Sequence, residues 1–267
     1  NKEIAEKIVA KAQDTQQLRK ELQEVKKLAR DRAKAITLHI PQLKDCKQHF
    51  DREKGKGKGT MIFLTEGQSA AGSIVSTRDV NTQAIFVLKG KPLNVWDLKR
   101  DIVYKNDEMY NLMRTLDIED NVAHLRYEKV ILATDADVDG LHIRNLLITY
   151  FYKFFEQLVH DGHLFVLETP LFRVRNKKET IYCYSEAERD AAAKKLGAAS
   201  AEITRFKGLG EISPDEFKQF IGKEMRLSQV EAAPKNDAHN ILGFYMGKNT
   251  PERKDYIMQN LVVPVED

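Results

Sequence analysis

From Lys129 to Gly140 the chain reads Lys-Val-Ile-Leu-Ala-Thr-Asp-Ala-Asp-Val-Asp-Gly, an apolar run that ends in carboxylates at every second position, Asp135, Asp137 and Asp139. Read as a buried strand, the run delivers its acids to the mouth of a sheet. Like charges this close raise one another's pKa unless a cation sits between them. Carboxylate oxygens are hard ligands, so Mg²⁺ is the natural guest, with Mn²⁺ or Ca²⁺ as substitutes. A plain helix cap needs one side-chain acceptor, not three acids. A calcium-binding EF-hand is excluded by two observations. Its twelfth loop position calls for Glu, where this chain has Leu146, and the acids follow a strand rather than a helix.

A second acid stands in a similar place. Thr60 to Thr65 reads as a short buried strand and runs into Glu66-Gly67-Gln68-Ser69-Ala70-Ala71-Gly72-Ser73. Small residues after a strand let a helix begin close to it, with backbone N–H groups free at the strand's end. In open parallel sheets, ligands bind beyond the carboxyl ends of the strands. If the two strands are neighbours, Glu66 joins the aspartates. Four such carboxylates hold one or two Mg²⁺ ions and leave room for phosphate oxygens, which suits phosphodiester chemistry. Lys207 to Glu211 lacks the spacing of a Walker A loop. His142, His160 and His163 read as structural hydrogen-bonding groups.

The elements that must position these acids follow from the rest of the chain. Its 267 residues are 42% hydrophobic and 31% charged, enough for one large domain or two small ones. The net charge of +3 neither requires nor excludes a nucleic-acid partner. Cys46 and Cys183 are far apart and read as free thiols of a cytoplasmic protein. The most apolar stretch, Leu146 to Phe155, is broken by Lys153 and too short to span a membrane. Residues 1–36 carry Leu18, Leu22, Val25, Ala29 and Ile36 at helical spacing. The chain begins at Asn1 within helical sequence, as a fragment of something longer does. Arg52 to Gly59 alternates basic residues with glycine and reads as a mobile loop. Further strands are expected at Ala84–Leu88, Leu164–Leu167, Phe172–Arg175 and Thr180–Tyr184, and one long helix from Leu141 to His160 with its aromatics in the core. Strands alternating with helices indicate an α/β fold with a mostly parallel sheet flanked by helices.

The residues also carry a resemblance. Glu after one strand and Asp-x-Asp-x-Asp after another resembles the TOPRIM pattern. Thr65 to Ala70, Gln83-Ala84-Ile85 with Leu88 to Lys91, Leu93-Asn94-Val95, Thr134 to Gly140 with His142-Ile143-Arg144, and Arg205 to Glu211 resemble the B subunit of bacterial type IIA topoisomerases. The order and spacing match from about residue 20 to the end of the chain, including Gly162-His163, Pro170-Leu171 and Phe244 to Gly247. Leu93 to Trp96 and Arg205 to Lys207 lean towards topoisomerase IV over gyrase.

The resemblance implies a helical linker over residues 1–50, a TOPRIM metal-binding core over 51–175 and a small α+β C-terminal tail over 176–267. It implies that Glu66 and Asp135 hold the metal at the scissile phosphate, that Asp135 and Asp137 offer a second metal position, and that Asp139 assists. Lys89, Lys91, Asn94, Arg144 and Lys207 are its candidate DNA-binding residues. The implied partners are double-stranded DNA and an A subunit in an A₂B₂ heterotetramer; the A subunit supplies the nucleophilic tyrosine. ATP enters only through an N-terminal domain outside this chain, and the location is cytoplasmic, on the nucleoid. Gln68 departs from the family, which has Asp there, so the first acidic turn carries one charge fewer. Two other functions use the same acids: a stand-alone TOPRIM nuclease or primase-like enzyme, and a non-enzymatic DNA-binding or assembly module with a structural cation.

Overall fold

Alternate residues of each inner strand belong to two different cores. Ile62 and Leu64, Phe86 and Leu88, Val130 and Leu132 join one apolar cluster, while Phe63, Ile85, Val87 and Ile131 join another. A strand's side chains point to opposite faces in turn, so a sheet covered on both faces needs this unbroken apolar reading. The computed structural model describes residues 40–51, 54–119, 121–197, 201–232 and 235–261. The expected helix over residues 1–36 lies outside the described residues.

The central sheet has six strands: β1 (Leu43–Lys44), β2 (Met61–Glu66), β3 (Gln83–Leu88), β4 (Lys129–Ala133), β5 (Leu164–Glu168) and β9 (Arg226–Gln229), in the order β1-β3-β2-β4-β5-β9. The four inner strands are parallel and the two outer ones antiparallel. The outer strand β9 comes from beyond residue 175, so the expected core and tail share one sheet. Helices α2 (Arg100–Lys105), α3 (Asp107–Leu116) and α4 (Val138–Phe154) cover one face. On the other face lie α1 (Gly67–Thr77) and α7 (Pro214–Phe220).

The expected single helix from Leu141 to His160 is two helices. The first begins earlier, at Val138, and ends at Phe154; α5 (Glu156–His160) follows. At the break, Phe155 leaves the helical region with φ −139° and ψ 44°. Its ring is buried against Tyr150, so packing there wins over helix continuity. The described part of the lysine-glycine segment, residues 54–59, turns back onto the core. Asp51 and Lys56 exchange backbone hydrogen bonds, and Gly59 N–H donates to Glu128 at 2.5 Å, closing a turn onto the core.

A second sheet, β7-β6-β8, is made of β6 (Phe172–Arg175), β7 (Thr180–Cys183) and β8 (Glu202–Arg205) and is packed by α6 (Glu186–Leu196). Arg173 and Glu216 tie it to α7 through a 2.7 Å ion pair, and Tyr182 donates to the same carboxylate. Helices α8 (Lys235–Met246) and α9 (Thr250–Asn260) follow. The first of these is seated on the turn after β3: Asn94 Nδ2 donates to the Met246 carbonyl at 2.8 Å, and Trp96 packs on His239. Among the described residues no helix is long and apolar enough to cross a membrane.

Candidate metal centre

Strands β2 and β4 are adjacent and parallel, with Thr65 paired to Ala133. Glu66 therefore ends one strand at the level where Thr134 and Asp135 leave the other. Both acids open into one cleft of about 530 Å³, lined also by Gln68, Asp137, Lys207 and Glu211. This is the carboxyl edge of the sheet, where the α/β rule places ligands.

Each carboxylate is anchored in its own way. Asp137 caps α4, its Oδ1 accepting from Gly140 N–H at 2.8 Å. One Asp is thus a helix cap, and that role leaves its second oxygen for other partners. Asp135 Oδ1 accepts from Leu209 N–H at 2.8 Å. Glu66 Oε2 is buried with no hydrogen-bond partner. A buried, unpaired carboxylate oxygen is costly, and a cation is the group that removes the cost.

Two glycines stand tight against Asp135. A Cβ on Gly140 would lie 2.2 Å from the Asp135 carbonyl oxygen, and a Cβ on Gly208 would lie 2.8 Å from Asp135 Oδ2. The first lets α4 start against the turn. The second lets the Lys207–Glu211 segment close over the carboxylate.

The electrostatics agree with this placement. Burial raises the Glu66 pKa, and repulsion from Asp135, Asp137 and Asp139 raises it further, with Lys91 opposing. Asp135 is likewise raised, first by burial and then by Asp137 and Glu211, against the Leu209 N–H. Protonated acids are what a site of paired carboxylates becomes when no cation shares it.

The donor set fits a hard divalent ion. It offers oxygens only, at least two of them free or orphaned. These acids are not packed into a tight cage. Among the described residues the group of three or more His, Cys, Asp or Glu residues whose ligand atoms all lie within 4.8 Å of one another is Asp45, Cys46 and His49. Glu66, Asp135 and Asp137 stand further apart, which suits Mg²⁺, an ion that keeps several of its waters. The Asp45 trio is otherwise engaged. Arg126 approaches Asp45 at 2.5 Å and Tyr127 donates to it at 2.6 Å, so the carboxylate braces the segment before β4.

Not every residue singled out in the sequence reaches the cleft. Asp139 turns away from it: its side chain is 61% exposed and pairs with Lys91 at 2.6 Å. That hydrogen bond and the lysine's charge hold its carboxyl below the ordinary range. Lys91 therefore acts at the rim, on Asp139. Lys207 lines the cleft. Lys89 lies outside it, its backbone N–H donating to Glu108 at 2.6 Å. Asn94 is spent inside the protein, on Met246 and on the Trp96 N–H. Arg144 lines a separate cavity. His163 bonds the Glu128 carbonyl and His160 faces Glu156, as structural histidines do. Glu211 and the Leu209 N–H are site groups that the sequence did not single out; the Lys-Gly-Leu-Gly-Glu run was the available signal.

A further cavity, of about 920 Å³, lies at the opposite edge of the sheet. Its wall sets Arg78, Lys218 and Lys223 against Asp79, Asp215 and Glu224, a balanced lining with no convergent charge.

Comparisons with known proteins agree with this architecture. Residues 61–169 match the Toprim domain, and residues 198–258 match the carboxyl terminus of the DNA gyrase B subunit. The chain is 55% identical to the DNA topoisomerase 4 B subunit of Borreliella burgdorferi, over 98% of its own length and 44% of that protein. It is 34% identical to the DNA gyrase B subunit of Thermus thermophilus, over 97% of this chain and 42% of that one. The chain thus spans less than half the length of the curated relatives it matches. Among solved structures, the DNA-binding, cleavage and re-ligation domain of Plasmodium falciparum topoisomerase II superposes with a TM-score of 0.70 at 26% identity, covering 85% of this chain and 32% of that one. With both domains and near-complete coverage by such relatives, the chain belongs to the B-subunit family of type IIA DNA topoisomerases.

Proposed function

We propose that this chain supplies the metal-binding half of a DNA cleavage and rejoining centre. The observation that carries the reading is the register of β2 and β4, which brings Glu66, with its orphaned oxygen, beside Asp135 at one end of the sheet. Glu66, Asp135 and Asp137 hold Mg²⁺, with Mn²⁺ or Ca²⁺ able to substitute. When bound, the ion polarises a phosphoryl oxygen and stabilises the leaving 3′ oxygen. Asp135 is fixed by Leu209 N–H and Asp137 by Gly140 N–H, so both carboxylates are oriented before DNA arrives. Glu66 has a raised pKa, which suits it to exchange a proton with the 3′ hydroxyl. Lys207, on the wall of the cleft, faces the DNA backbone.

The nucleophilic tyrosine comes from an A subunit, in an A₂B₂ assembly. ATP hydrolysis belongs to the part of the relatives that this chain does not span. The higher identity to the Borreliella burgdorferi topoisomerase 4 B subunit than to the Thermus thermophilus gyrase B subunit supports decatenation and relaxation over supercoiling. The test is reconstitution of the full-length B subunit with its A subunit. Double-strand cleavage that needs Mg²⁺ and is lost in D135A and D137A, with the fold retained, is expected. Full cleavage by either variant would remove the metal assignment.

A further inference from the structure

The extended turn after β4 faces two cavities, not one. Asp135 and Asp137 line the acidic cleft, while the alternate residues Thr134 and Ala136 line a neighbouring cavity of about 440 Å³. This second cavity lies beyond the carboxyl ends of β4 and β5, and Arg144 of α4 enters it. Among the described residues no carboxylate pairs with Arg144. Its Nε is buried without a hydrogen-bond partner, and so is the hydroxyl of Thr134, a residue only 2% exposed. Glu168 is the acid on the wall, and it accepts a hydrogen bond from Ser228. A second cation stands at the rim, where the Arg226 guanidinium lies 3.8 Å over the ring of Tyr184.

A half-buried guanidinium without a counter-ion, lining the same cavity as an unpaired hydroxyl, is a receptor for an oxyanion. Guanidinium is the side chain best matched to phosphate, through its planar fork of donors. Burial with no compensating charge pulls the Arg144 pKa down, and a bound anion reverses that penalty.

We infer that Arg144 and Thr134 form a seat for a DNA backbone phosphate next to the one that is cleaved. The inference rests on the proposed function. Neighbouring strands are about 4.8 Å apart, so the two cavities are separated by roughly one or two strand spacings. A nucleic-acid strand rises about 3.4 Å per nucleotide, so one backbone lying along this sheet edge reaches both. The seat fixes where the scissile phosphate stops without reading any base.

The test uses the full-length B subunit assembled with its A subunit and a short duplex carrying one defined cleavage site. Each phosphate near that site is replaced in turn by a neutral methylphosphonate. One position within two nucleotides of the cleaved bond should reduce cleavage by the wild-type assembly about tenfold. The same replacement should have no further effect in R144Q, whose DNA affinity should also show a salt dependence shallower by about 0.9 in log–log slope. R144K, which keeps the charge, should restore the slope and not the full cleavage. Equal losses in wild type and R144Q at every position would overturn the inference, as would a wild-type scan with no sensitive neighbour. Absence of Mg²⁺-dependent cleavage in the unmodified system would instead overturn the functional reading itself.

Discussion

Glu66 and Asp135 leave neighbouring parallel strands side by side, Glu66 one residue beyond Thr65 and Asp135 two beyond Ala133, the residue paired with Thr65. Both carboxyl groups are raised above their ordinary pKa by burial first and by like charge second. The pair therefore costs folding stability whenever both are ionised and no cation shares them. E66Q and D135N should melt at higher temperature than wild type in chelator at neutral pH. Added Mg²⁺ or Mn²⁺ should stabilise the wild type and leave the variants unmoved. Calorimetric melting of the three proteins checks this; equal metal-induced shifts in all three would contradict it.

The pH dependence has a defined sign. A carboxyl group whose pKa is raised in the folded state destabilises the fold as pH climbs from the unfolded value through the folded one. Protons also compete with the cation for the same oxygens. Metal affinity should therefore weaken on acidification at a pH above the ordinary carboxylate range of about 4. Titration of Mn²⁺ binding between neutral pH and acid reads the midpoint. An unchanged affinity down to the ordinary carboxylate range would show that these groups are not the ligands.

Gly208 closes the Lys207–Glu211 segment over Asp135, and a Cβ there would stand 2.8 Å from Asp135 Oδ2. The backbone at Gly208 has φ −145°, so alanine causes no conformational strain and the effect is steric. G208A should fold with a stability loss of about 1–3 kcal/mol and lose metal affinity at least tenfold. Chemical denaturation and calorimetry on one preparation separate the two effects.

Much of this was legible in the sequence for a simple reason. Strands β2 and β4 are apolar along almost their whole length because both faces are covered, and the chain meets an acid where each one ends. What positions those acids was not legible, because the partners are distant in the chain. Leu209 N–H reaches Asp135 from 74 residues away. Lys91 takes Asp139 out of the cleft from 48 residues away. Asn94 sits in a basic turn that invites a DNA role, yet its amide is bound to Met246, 152 residues on. The helix break at Phe155 likewise depends on the pocket beside Tyr150 rather than on any local breaker.

Glu216 shows the opposite linkage. Burial alone would raise its pKa, but hydrogen bonds from Arg173, Ser213 and Tyr182 bring it down to about 2. A depressed carboxyl contributes stability that is present above the unfolded value and lost as pH falls through the folded one. E216Q should lose on the order of 3 kcal/mol at neutral pH and show a flatter stability profile between pH ~4.5 and ~2. The loss should appear as loosening of the β7-β6-β8 sheet from α7, seen as faster amide exchange at Arg173 and Tyr182. A neutral-pH stability equal to wild type would rule out this role for the pair.

The most direct measurement is anomalous diffraction from crystals of the DNA-bound assembly grown with Mn²⁺. The predicted result is a manganese peak in the cleft, ligated by oxygens of Glu66, Asp135 or Asp137 and by a phosphate oxygen. A map with no peak there, or with its only protein-bound peak at Asp45, Cys46 and His49, would contradict the assignment of this cleft as the metal centre.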